Sequence, residues 1–96
     1  MTKKQIIQMY RDWRKENGNQ KPNRVIVKMY WEDESPDDTR VDTIGLEPFD
    51  IGTESRRTSD AIVLFYASSL SGLLELMKPD NGSEIVVTEV LEFYKL

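Results

Sequence analysis

The sequence predicts an α+β domain with elements in the order α-β-β-β-α-β, a mixed four-stranded sheet packed by two helices as a two-layer sandwich. Three observations carry that expectation. Ile6, Met9, Tyr10 and Trp13, and again Leu70, Leu73, Leu74 and Met77, stand at i, i+3, i+4 and i+7, the spacing of an apolar stripe on a helix. Four other stretches of strand length are rich in β-branched and aromatic residues. Turn formers separate these segments: Asn17 with Gly18, Pro36 among acidic residues, and the run from Pro79 to Gly82.

The first helix is expected over residues 3–16. Thr2 and Gln5 have capping-box spacing, and Asn17 with Gly18 supplies a left-handed exit that Pro22 keeps from resuming. Residues 24–31 read as a strand with Val25, Val27, Met29 and Trp31 on one face and the mixed set Ile26, Lys28 and Tyr30 on the other. Residues 32–38 form an acidic turn, from which residues 39–46 return as an antiparallel strand of poor alternation. Residues 47–60 are an irregular connection in which Phe49 and Ile51 are expected to tuck onto the core edge. The continuously apolar run 61–67 reads as a central strand buried on both faces. Ser68 and Ser69 then offer caps for the second helix. Residues 84–94 form the last strand, joined to the third by a right-handed parallel crossover.

Ninety-six residues suit a single domain over 1–96, with room for one two-layer core but not for a deep catalytic cleft besides. No apolar run reaches the ~18 residues of a membrane span, and polar residues interrupt any signal-like start at once. With no cysteine, disulfides and thiolate metal sites are excluded; with no histidine, so is the commonest general base. A cytoplasmic protein is the expectation, without cofactor or metal.

Enzymatic motifs are missing as well. There is no glycine-rich phosphate loop and no nucleophile elbow, and Ser68, Ser69 and Ser71 are accounted for as helix caps. Glu89, which interrupts an apolar strand face, is the one carboxylate whose setting invites a catalytic reading. A sheet-edge or solvated position accounts for it better. The acidic turn lacks the ligand ladder and glycine of a calcium loop, and Asn81-Gly82-Ser83, which matches a glycosylation acceptor, reads as a turn.

Two surfaces remain. Parity places Ile26, Tyr30, Ile62, Leu64, Tyr66, Val86, Val90 and Tyr94 on a second apolar face of the sheet. If both helices cover the first face, this one is left to a protein partner or to a second copy as a homodimer. Tyr30, Leu64, Tyr66, Val90 and Tyr94 are then the candidate interface residues. The other surface is electrostatic: residues 1–28 carry eight basic groups against two acidic ones, and the remainder five against fifteen. A basic helix lying beside an acidic sheet accounts for the split, and so does a helix facing a polyanion. On the second reading Lys4, Arg11 and Lys15, with Arg56 and Arg57 from the long connection, would contact nucleic-acid phosphates. An isoelectric point of about 4.8 speaks against it.

Residues 60–94 combine the apolar run, Ser68-Ser69-Leu70, the leucine-rich stripe and Asn81-Gly82-Ser83 before a final strand. The pattern resembles that of small bacterial α+β proteins with no assigned activity. The resemblance implies a strand, a short helix and a last strand over those residues, and implies no chemistry.

Overall fold

The computed structural model describes residues 1–46 and 69–96, together with the backbone of 63–66. Helix α1 spans Lys3–Glu16 and opens on the reciprocal capping box, Thr2 accepting from the Gln5 N–H and Gln5 from the Thr2 N–H. It ends where the Asn19 N–H donates to the Arg14 carbonyl at 2.7 Å, with Gly18 and Asn19 both left-handed. Its apolar stripe faces inward: Ile6 is fully buried, and Tyr10 meets Phe93 edge-on with centroids 5.4 Å apart.

Strand β1 is Arg24–Trp31, β2 is Arg40–Gly45, β3 is Val63–Tyr66, helix α2 is Leu70–Glu75 and β4 is Ile85–Tyr94. A single 3-10 turn, Pro36–Asp38, lies in the acidic connection, capped by Ser35. Strands β1, β2 and β4 form an antiparallel sheet with β1 in the middle. The short β3 lies parallel along the outer side of β2, aligned at Thr43↔Val63, Ile44↔Phe65 and Gly45↔Tyr66 with a shift in register between the first two.

This corrects the expected mixed four-stranded sheet. The fold is α+β with two helices, but the body of its sheet is the antiparallel trio β2, β1 and β4, and β3 joins only as a short edge strand rather than as the centre. The last strand does not take β3 as a parallel neighbour; it pairs with β1 from Arg24↔Tyr94 to Trp31↔Ile85. The physical reason lies in cross-strand partners. Antiparallel pairing sets Val25, Val27 and Met29 opposite Phe93, Val90 and Val87 and sets Lys28 opposite Glu89, so apolar meets apolar and charge meets counter-charge. A continuous apolar run carries no periodicity, and therefore does not specify a central position.

One core results. Val25, Val27, Met29, Ile44, Ile85, Val87, Val90 and Phe93 share one sheet face, and Ile6 of α1 with Leu73 and Leu76 of the α2 region close over it. Both helices therefore serve the same side of the sheet. The expected positions of Phe49, Ile51, Ile62 and Ser68 lie outside the described residues; the cap of α2 is Ser69, which accepts from the Gly72 N–H.

Candidate functional site

Strand β4 does not alternate regularly. Between Ile26↔Glu92 and Val27↔Val90, and again between Lys28↔Glu89 and Met29↔Val87, it spends two residues against one on β1. Each bulge reverses the in-out phase of the strand. Ile85, Val87, Val90 and Phe93 consequently all face the helices, although Val90 breaks their odd-numbered parity. Val90 is 1% exposed and Leu91 39%, the reverse of what strict alternation predicts.

The face turned away from the helices is thus made by Ile26, Lys28 and Tyr30 on β1, Val41 and Thr43 on β2, and Val86, Glu89, Glu92 and Tyr94 on β4. Ile26, Tyr30 and Tyr94 are half-buried, Val41 is exposed, and Thr43 and Val86 are buried. The Lys28 Nζ stands 3.3 Å from the Glu89 Oε2 across the strands, with both side chains open to solvent. The Thr88 hydroxyl, on one bulge, donates to the Lys28 carbonyl at 3.2 Å. The face is therefore less apolar than its sequence parity suggests, with open charge arranged as Lys28 on β1 beside the row Glu89 and Glu92 on β4, while Arg24 is buried.

Of the five residues expected at an interface, Tyr30 and Tyr94 lie on this face, separated along it by the length of β1. Val90 lies on the opposite face in the core, because the bulges carry it there. Leu64 and Tyr66 have their backbone in β3, and their side chains lie outside the described residues. Lys28 and Glu89 were not legible as a pair, since their meeting depends on a register that two bulges set.

Among the expected phosphate contacts, Lys4, Arg11 and Lys15 are exposed along the outward side of α1, spread over about 16 Å at 1.5 Å per residue. Arg11, Arg14 and Lys15 border a shallow concavity of about 460 Å³ with Gly18 and Asn19, into which the Arg14 guanidinium donates to the Asn19 carbonyl at 3.1 Å. Arg56 and Arg57 lie outside the described residues. Glu89 and two carboxylates of the acidic turn, Glu34 and Asp38, have structural partners. Glu89 pairs with Lys28, Glu34 accepts from the Trp31 N–H and pairs with Arg40, and Asp38 accepts from the Ser35 N–H. Among the described residues no three acidic groups converge as metal ligands, and no helix is long and apolar enough to cross a membrane.

Comparison with protein-family models, with curated proteins and with solved structures finds no match.

Proposed function

We propose that the domain is a non-enzymatic interaction module that pairs with a second copy of itself through the sheet face turned away from the helices. The observation that carries this reading is the one-sided core of the described residues: α1 and α2 both pack on the same face, with half-buried Ile26, Tyr30 and Tyr94 on the other. Tyrosine rings with polar tips suit a contact that forms and dissolves in water. The charges decide in favour of a second copy. A two-fold axis running along the strands between β1 and β4 lays each Lys28 over the partner's acidic β4 row, and each acidic row over the partner's Lys28. The face measures about 15 by 20 Å from strand spacing and rise. That falls short of the ~800 Å² per partner of a standard interface, so the dimer depends on concentration.

Light scattering from micromolar to millimolar protein tests this. The wild-type mass should rise toward twice the monomer, Lys28→Glu should hold it at the monomer, and Lys28→Glu with Glu89→Lys should restore the rise. Lys28→Glu sets like charges opposite each other within one chain, a cost of up to about 1 kcal/mol that leaves the domain folded. A wild-type monomer at every concentration would remove the reading.

A second reading rests on the concavity bordered by Arg11, Arg14 and Lys15. It makes α1 an accessory nucleic-acid contact. Each phosphate neutralised contributes about 0.9 to the slope of log affinity against log salt. Lys4, Arg11 and Lys15 together therefore predict a slope near −3 on duplex DNA in a salt titration. No binding at low salt would end this reading.

A further inference from the structure

β4 closes one end of the sheet, and the two halves of its outer edge are treated differently. The segment between α2 and β4 covers the first half: the Val87 N–H donates to the Leu76 carbonyl at 2.8 Å, and the Asn81 Nδ2 donates to the Ile85 carbonyl at 3.1 Å. Residues 89–93 have no such backbone cover among the described residues. Beside them, between α1 and the strand, runs an open groove of about 370 Å³. Its apolar lining is Met9, Trp13, Leu91 and Phe93, and Leu91 stands out into it because the bulge lifts it from the core. Asp12 and Glu16 edge the groove on the helix side and Glu92 on the strand side. Asp12 accepts one bond from Gln8 at 2.8 Å, leaving its carboxylate otherwise open to solvent.

We infer that this groove is a docking site for a basic, extended segment of a partner protein, which adds as a strand to the outer edge of β4 and sets an apolar side chain between Trp13 and Leu91. This edge, unpaired among the described residues, supplies main-chain donors and acceptors, and the groove reads alternate side chains of the added strand. Acidic groups on both sides choose its charge. Acidic residues also oppose the simplest competitor, a second copy pairing antiparallel β4 against β4, because Glu89 of each copy would then come beside Glu92 of the other. The free stretch is only about 17 Å long, so the ladder is short and most of the selectivity falls to the groove and its carboxylates. The surface shares only Glu92 with the tyrosine-bearing face, and Asp12 and Glu16 belong to no part of that contact.

The probe is a ten-residue peptide alternating lysine and valine, titrated into the nitrogen-15-labelled domain. The Trp13 indole and the amides of Leu91 and Phe93 should shift together and saturate. Asp12→Lys with Glu16→Lys, two exposed changes on α1 that leave the fold intact, should weaken binding at least tenfold. A peptide with glutamate in place of lysine should not bind, and one with a central proline, which lacks an N–H for the ladder, should bind several-fold more weakly. No shift at these positions with millimolar peptide would overturn the inference. So would equal binding of the acidic or the proline peptide, or shifts confined to Tyr30 and Tyr94.

Discussion

Replacing Val90 by aspartate is expected to unfold the domain, whereas the same change at Leu91 is expected to leave it folded. Val90 sits 1% exposed among Val27, Val87 and the rest of the core. An unpaired charge left there costs about 3–5 kcal/mol. A domain of this length has about 5–14 kcal/mol of stability in total, so the loss takes a large share or all of it. Val90→Ala, which only removes apolar contact and leaves a small cavity, should cost about 2 kcal/mol and still permit a two-state urea transition. Leu91 is 39% exposed on a bulge, and Leu91→Asp should shift stability by no more than about 0.5 kcal/mol. Urea midpoints for the three variants check the ordering. If Leu91→Asp were the destructive change and Val90→Asp the harmless one, β4 would be a regular strand and Val90 would return to the face shared with Tyr30 and Tyr94.

That pair of residues marks where sequence reading stops. The limits of α1, 3–16, and of β1, 24–31, were legible because local chemistry defines them: a capping box, a left-handed glycine, a run of β-branched residues before an acidic turn. The inward face of α1 was legible too, since a 3.6-residue period needs no partner to be recognised. The phase of β4 was not. Its bulges arise only against β1, between Ile26 and Val27 and between Lys28 and Met29, and nothing in β4 alone requires them. The order of the strands failed for a related reason. The run 61–67 is more apolar than β1, yet β1 holds the centre: Val25, Val27 and Met29 all find apolar partners on β4, and Val25 finds Ile44 on β2 as well. The candidate face divides along the same line. Tyr30 and Tyr94 follow from parity counted near the paired ends of their strands, while Val90, counted across the bulges, does not. The groove beside α1 escaped entirely, because Leu91 reads as core until the bulge exposes it.

Asn81→Ala is expected to destabilise the domain by about 2–3 kcal/mol, more than a residue in a surface turn ordinarily does. The Asn81 Nδ2 group donates to the carbonyls of Leu76 at 3.2 Å, Lys78 at 2.8 Å and Ile85 at 3.1 Å, while its Oδ1 accepts from the Ser83 N–H at 2.7 Å. One amide therefore joins the end of α2 to the first residue of β4, and the Val87 N–H to Leu76 carbonyl bond runs alongside it. Two of the three carbonyls belong to Leu76 and Ile85, both buried, and water cannot readily replace a donor lost there. For a chain of this size the loss corresponds to a fall in melting temperature of about 10–20 °C. Asn81→Asp separates the two halves of the argument. A carboxylate keeps the acceptor for Ser83 but cannot donate, and it sets negative charge against three carbonyl oxygens. It should therefore be at least as damaging as alanine, although it differs from asparagine by a single group. If aspartate were tolerated, the Ser83 turn alone would account for Asn81, and α2 would be held to β4 by Leu73 and Leu76 packing without it. If both variants fall together, the donor side is what fixes the helix against the strand, and with it the covered half of the β4 edge beside residues 89–93, which no described residue covers.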